Sequence, residues 1–174
     1  MRKLVFVAVV ALLAVPAYGV AATPPTPNDR AAAVKQCSTE RNGMGAAAFK
    51  LLYGTNSNRS NAFGKCVSKL AKQNGKNRSN ASSQCRAERA ADAAAFKEKY
   101  GTGHKKSNAF GHCVSQKAKA AAAAQQQARV NAAKACWTER KGGPAAFKAK
   151  YGTNAHKSNA FGKCVSGHVK HSTP

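Results

Sequence analysis

The sequence predicts an all-α protein made of three small helical repeats, each of about three short helices and each held by a disulfide. Three observations support this fold class. A two-cysteine motif occurs three times, the spacings inside it hardly vary, and its apolar residues follow helical periodicity. We therefore expect three similar units joined by linkers, within a chain of 174 residues.

The copies occupy residues 34–70 (repeat 1), 82–118 (repeat 2) and 133–170 (repeat 3). In each copy a Cys is followed by Glu-Arg, then by Ala-Ala-Phe-Lys and Tyr-Gly-Thr, and finally by Ser-Asn-Ala-Phe-Gly-x-Cys-Val-Ser. The length changes only before the first Phe, by one residue in repeat 1. The constant spacings indicate the same rigid structure three times.

Local signals divide each repeat into helices a, b and c. Helix a carries the first Cys and Glu-Arg, helix b carries Ala-Ala-Phe-Lys-x-x-Tyr, and helix c carries the second Cys. Asp92 and Pro144 are suited to the start of helix b. We expect a left-handed glycine to end helix b and a serine to cap helix c. These residues are Gly54, Gly101 and Gly152, and Ser60, Ser107 and Ser158.

The apolar core of one repeat is very small, with two Phe, one Tyr and one Val at the shared positions. Units of this size seldom hold together by apolar burial alone, so a covalent crosslink is expected. One disulfide over such a loop contributes about 3–4 kcal/mol in the loop-entropy model. Repeat symmetry favours the pairs Cys37–Cys66, Cys85–Cys113 and Cys136–Cys164.

The N-terminus has the pattern of a secretory signal peptide over residues 1–22. Arg2 and Lys3 precede a short apolar run, and cleavage is expected after Gly19 or Ala22. Uncleaved, this segment would anchor the chain to a membrane. Export to a secreted or cell-surface location fits paired cysteines, because disulfides persist in oxidising compartments.

Composition also predicts the connecting segments. The Asn, Ser and Gly residues of 71–81 indicate a flexible linker, whereas the Ala and Gln residues of 119–132 indicate a helical one. The alternative for the second is a partly helical spacer. We expect a Pro-rich exposed leader at 23–33 and a short tail at 171–174.

The chain has 29 Lys plus Arg and 6 Asp plus Glu, a formal net charge of +23. Such an excess favours anionic partners, although it can also serve solubility alone. We expect cations near the start of helix c and on helix b to contact anions. These residues are Arg59, Lys65, Lys106, Lys157 and Lys163, and Lys50, Lys97 and Lys148.

A glutamate recurs in helix a of every copy, at Glu40, Glu88 and Glu139. No second carboxylate recurs beside it, which argues against glycosidase or metal chemistry. We expect a structural clamp, in which each Glu caps helix b or pairs with Lys50, Lys97 or Lys148.

Candidate reactive residues do not form a catalytic pattern. The five histidines share no repeat position, and His168 with His171 would give two metal ligands at most. We therefore expect neither an enzyme nor a metal or cofactor. The single Trp137 adjoins Cys136 and is expected to pack near that disulfide.

The motif from Phe147 to Ser166 resembles a repeat found in exported proteins of actinobacterial type. The resemblance covers all three copies and implies export, but no activity and no functional residue. Three functions stay open at this point. They are non-catalytic binding of anionic polymers (wall polymer, acidic polysaccharide or extracellular nucleic acid), a structural or protein-interaction array at the cell surface, and a cationic membrane-active antimicrobial factor.

Overall fold

The computed structural model describes residues 24–171, which form seven helices and no strand. The predicted all-α, disulfide-stapled fold is confirmed. The signal-peptide prediction for residues 1–22 lies outside the described part of the chain, as does most of the tail. The helices are α1 (Pro27–Met44), α2 (Ala46–Tyr53), α3 (Ala62–Ala91), α4 (Ala93–Tyr100), α5 (Ala109–Gly142), α6 (Pro144–Tyr151) and α7 (Ala160–His171).

Two long helices each belong to two repeats. The 30-residue α3 joins helix c of repeat 1 to helix a of repeat 2, and the 34-residue α5 does the same for repeats 2 and 3. Helix b of each copy is a separate eight-residue helix, namely α2, α4 or α6. Residues 119–132 thus lie inside a continuous helix, as their composition predicts.

The prediction of a flexible linker at 71–81 is wrong, because this segment is the middle of α3. Two of its polar residues, Asn74 and Asn77, are buried against other helices. The Asn74 side chain donates to the Asp29 carbonyl (3.1 Å) and to Gln36 Oε1 (3.0 Å), and Asn77 exchanges amide hydrogen bonds with Gln125 (3.0 and 3.2 Å). Tertiary contacts therefore override the low helix propensity of these residues.

The prediction of a separate leader at 23–33 is wrong for residues 27–33, because α1 begins at Pro27, although residues 30–32 are exposed as predicted. Thr26 and Asp29 form a capping box, in which each side chain accepts a hydrogen bond from the other's backbone N–H. Asp29 is buried and bonds to Arg78 of α3 at 3.1 Å. The start of α1 is thereby fixed to the next long helix.

The turn between helices b and c differs from the prediction at two places. Gly54 is extended, with φ −72° and ψ 132°, and a Cβ atom there would lie 2.4 Å from Cβ of Arg59. The left-handed residue is Arg59 itself (φ 55°). Glycine is needed at position 54 because Arg59 approaches its backbone closely, and not because its φ is positive. The same holds at Gly101 with Lys106 and at Gly152 with Lys157.

Asparagine, and not the predicted serine, precedes helix c. Asn61 Oδ1 accepts from the Thr55 backbone N–H (3.0 Å), and Asn61 Nδ2 donates to Thr55 Oγ1 (2.8 Å). The predicted cap Ser60 instead accepts from Asn56 within the loop. This two-bond closure recurs at Asn108 with Thr102 and at Asn159 with Thr153.

The disulfide pairing matches the repeat symmetry. The bonds are Cys37–Cys66, Cys85–Cys113 and Cys136–Cys164, with Cα atoms 6.0, 6.1 and 6.0 Å apart. They connect α1 to α3, α3 to α5, and α5 to α7. Each disulfide thus joins helix a to helix c of one repeat, across the connection that contains helix b.

The apolar residues form two clusters. One unites repeats 1 and 3 and includes Phe49, Leu70, Val130, Phe147 and Phe161. The other belongs to repeat 2 alone and has only five buried residues, Cys85, Phe96, Tyr100, Ala109 and Cys113. Repeats 1 and 3 are therefore one folded body, to which repeat 2 is attached through its long helices.

Candidate polyanion-binding surface

A glutamate–tyrosine hydrogen bond ties helix a to helix b in every repeat. The tyrosine hydroxyl donates to the carboxylate at 2.5 Å in repeat 1, 2.8 Å in repeat 2 and 2.9 Å in repeat 3. The pairs are Glu40–Tyr53, Glu88–Tyr100 and Glu139–Tyr151. The glutamate and the tyrosine both recur in all three repeats, and this shared recurrence is the sequence signal from which the contact could have been predicted.

In repeat 1 the glutamate is fully buried and also binds a cation from α5. Arg129 Nε and a terminal guanidinium nitrogen lie 2.8 and 2.7 Å from Glu40 Oε1. Burial, together with the adjacent Glu40 carboxylate, raises the pKa of the Tyr53 hydroxyl. The Tyr53 hydroxyl therefore stays protonated and acts as a donor to Glu40.

In repeats 2 and 3 the corresponding carboxylate is about one-third exposed. Glu88 pairs with Lys117 at 2.7 Å, and Glu139 pairs with Lys150 at 2.8 Å. Hydrogen bonds from Lys117 and then Tyr100 lower the pKa of Glu88. The Lys150 hydrogen bond, followed by that of Tyr151, does the same at Glu139.

The glutamates thus act as clamps, but the lysines predicted as their ion-pair partners are not the residues they pair with. Their partners among the described residues are Arg129, Lys117 with Lys99, and Lys150. The predicted lysines on helix b are exposed, because each directly follows the Phe that faces the core and so points away from it. They are Lys50, Lys97 and Lys148.

The remaining acidic residues also have internal partners. Asp29 pairs with Arg78 at 3.1 Å, Glu98 pairs with Lys106, and Asp92 accepts the backbone N–H groups at the start of α4. Burial alone would raise the pKa of Asp29, but hydrogen bonds from Thr26 and Arg78 outweigh it and lower the pKa. All six carboxylates of the chain are therefore engaged within the fold.

Two of the predicted anion contacts near helix c are also engaged internally. Arg59 donates to the Leu51 carbonyl (3.0 Å) and the Lys50 carbonyl (3.4 Å), which stabilises the end of α2. Lys106 pairs with Glu98. An anion contact near the start of helix c stays a prediction at Lys157. Lys65 and Lys163 are exposed on helix c.

A basic groove of about 990 Å³ lies between repeats 1 and 3. We call it the repeat 1–3 groove. Leu51 and Leu52 contribute apolar surface, and serine, threonine and asparagine side chains contribute polar groups. Its lining includes four cations and no carboxylate. The cations are Arg59, Lys69, Lys163 and Lys170.

Two further features lie at the third disulfide, Cys136–Cys164. Cys136, Cys164 and His168 place ligand-type atoms within 4.8 Å of one another, but both sulfurs belong to a disulfide and are not thiolates. Trp137 packs edge-on against Phe161, with ring centres 6.4 Å apart, so it is part of the packing around the third disulfide.

No helix in residues 24–171 has the length and apolar character to span a membrane.

Comparison of the chain with protein-family models, with curated proteins and with solved structures finds no match.

Proposed function

We propose that this protein binds anionic polymers outside the cell without catalysis. The observation that carries the proposal is the use of all six carboxylates inside the fold, against a formal net charge of +23. With its acids held in ion pairs and a helix cap, the protein presents its excess lysines and arginines to solvent. Long-range attraction of a polyanion is then opposed by almost no local repulsion.

The repeat 1–3 groove supports a preferred location for part of this binding. Arg59, Lys69, Lys163 and Lys170 come from two distant repeats and line one groove without a carboxylate. Parallel exposed cations neutralise a chain of phosphate, sulfate or carboxylate groups and release its counterions. Such contacts are weakened by salt and are indifferent to sequence, which suits a wall polymer, an acidic polysaccharide or extracellular DNA.

The location outside the cell is part of the proposal. Three disulfides are typical of an oxidising compartment. Cleavage of the signal-like segment 1–22 would release the basic repeats into the same space as these polymers.

The test measures binding of the oxidised protein to dextran sulfate and to a fluorescent DNA duplex, with neutral dextran as the control polymer. We expect binding at low salt to both polyanions, none to neutral dextran, and a steep loss of affinity as salt rises. Absence of polyanion binding at low salt would contradict the proposal, as would equal binding to neutral dextran.

The groove is tested with variants of equal charge. K69Q/K163Q/K170Q removes three groove cations, and K35Q/K76Q/K134Q removes three exposed cations elsewhere. If the groove holds the DNA backbone, the first variant makes the negative slope of log K against log salt shallower by up to about 3, and the second variant changes this slope less. Equal changes in the two variants would reject the groove while leaving diffuse polyanion binding supported.

A further inference from the structure

A second and more apolar cavity lies between α1, α3 and α5, beside repeat 2. Its volume is about 840 Å³, within the range of small-molecule pockets. Phe110 and Val114 of helix c line it, together with Ala32, Ala118 and Ala122 from α1 and α5. We call it the amphipathic cleft, because cations and amides accompany this apolar surface.

One sequence difference between repeats 2 and 3 accompanies the open cleft. In repeat 3 the residue after the first Cys is Trp137, which packs against Phe161, and Phe161 is only 3% exposed. In repeat 2 the same position is Arg86, which lines the cleft, while Phe110 is only partly buried. Repeat 2 therefore has a cation where repeat 3 has an apolar cover.

The cations of the cleft are Arg78, Arg86 and Lys119. Its one carboxylate, Asp29, already binds Arg78 at 3.1 Å and Thr26 at 2.8 Å. The Arg78 Nε–H is buried and has no acceptor among the described residues. Because this nitrogen has no exposed surface, an anion in the cleft would meet Arg78 through the rest of its guanidinium, and the Arg78 side chain is 37% exposed.

We propose that the amphipathic cleft binds a small amphipathic anion. A hydrocarbon chain or ring lies on Phe110 and Val114, and a carboxylate, sulfonate or phosphate head lies among Arg78, Arg86 and Lys119. This site is independent of polymer binding. Its affinity depends on apolar burial as well as on charge, so it persists at salt concentrations that abolish polyanion binding.

The probe is sodium laurate, titrated calorimetrically into the oxidised full chain at high salt and below the micelle concentration. We expect one site per chain, with dodecanol and acetate binding at least tenfold more weakly, since each lacks one half of the recognised chemistry. No saturable laurate binding would overturn the proposal, and so would dodecanol binding as tightly as laurate.

Three variants locate the site. R86Q and K119Q are expected to weaken laurate about tenfold each, because a charged partner of the head group is lost. The matched control K105Q changes an exposed lysine of repeat 2 outside the cleft and is expected to leave laurate affinity unchanged. Equal weakening by K105Q would overturn the site.

R86W copies the cover that repeat 3 has at Trp137. It is expected to abolish laurate binding while circular dichroism and low-salt binding of dextran sulfate stay close to wild type. Unchanged laurate affinity in folded R86W would overturn the proposal. If the wild-type protein binds laurate but does not bind dextran sulfate, only the polymer proposal is rejected.

Discussion

Repeats 1 and 2 share one motif but differ in burial. The Glu40 side chain of repeat 1 is 0% exposed and bound by Arg129, whereas the equivalent Glu88 of repeat 2 is 35% exposed and bound by lysines. Repeat 1 shares its apolar cluster with repeat 3, and repeat 2 has its own. The motif therefore specifies a local structure, and the neighbouring repeat determines how deeply that structure is buried.

The cause is visible in helix b. Repeat 1 has Leu51 and Leu52 where repeat 2 has Glu98 and Lys99. The two leucines are partly buried on the shared cluster and line the groove beside α7. Polar residues at these positions leave this face of helix b of repeat 2 in solvent, so that repeat 2 depends more on its own disulfide.

The largest expected effect of a single substitution is at Glu40. E40Q leaves the Arg129 guanidinium in a poorly exposed site without a compensating charge, and we expect a loss of about 3–5 kcal/mol in the free energy of unfolding. The matched substitution E88Q, measured in the same urea titrations, should cost much less. Similar losses in both variants would refute the difference in burial.

The next largest effect is expected from removal of single disulfides, which should destabilise repeat 2 more than repeat 1. C85S/C113S removes about 3–4 kcal/mol of loop-entropy stabilisation from a unit with five buried core residues. We expect limited proteolysis to cut first within residues 85–113, while residues 37–66 stay protected. C37S/C66S is the control and should unfold later in temperature, because repeat 3 still packs on repeat 1. Identical cleavage patterns in the two variants would contradict this.

A smaller effect is expected when repeat 1 receives the residues of repeat 2. L51E/L52K exposes two half-buried leucine positions to charge, and we expect a loss of about 2 kcal/mol. The control E98L/K99L in repeat 2 should not stabilise the chain by a similar amount, since no α7 lies beside it. Thermal unfolding measures both. An unchanged melting temperature in L51E/L52K would show that the leucines do not join repeats 1 and 3.

The smallest effect concerns pH. The pKa values of Asp29, Glu88 and Glu139 are lowered in the folded state, so their contribution is complete above the ordinary carboxyl value of about 4 and is lost as pH falls through the lowered values. The melting temperature should be steady between about pH 5 and 7 and fall below about pH 4. E88Q/E139Q should show a shallower fall. A fall as steep as in the wild type would exclude these two residues as its source.

The repeated motif made much of the fold predictable. Constant spacings and six cysteines predicted the helices of the repeats and the three disulfides, and the Ala and Gln residues of 119–132 predicted that this segment is helical. The segment 71–81 was mispredicted because Asn74 and Asn77 stabilise α3 only through partners in α1 and α5. Such partners are distant in sequence, and local composition does not reveal them.

The candidate surface was predictable in sign but not in detail. The excess of lysine and arginine is visible in the composition, and so is the recurrence of Glu40 and its counterparts. Their partners were not, because Arg129 lies outside the repeat motif and reaches Glu40 only through the packing of α5 on α1. The union of repeats 1 and 3 likewise follows from Leu51 and Leu52, which depart from the shared pattern.

The most direct test is hydrogen exchange of the oxidised wild-type protein, followed by peptide mass spectrometry at increasing urea. We expect amides around Cys85 and Cys113 to open at a clearly lower free energy than amides around Cys37, Cys66, Cys136 and Cys164, which should open together. Equal opening energies in all three repeats would contradict a shared core for repeats 1 and 3 and a separate one for repeat 2.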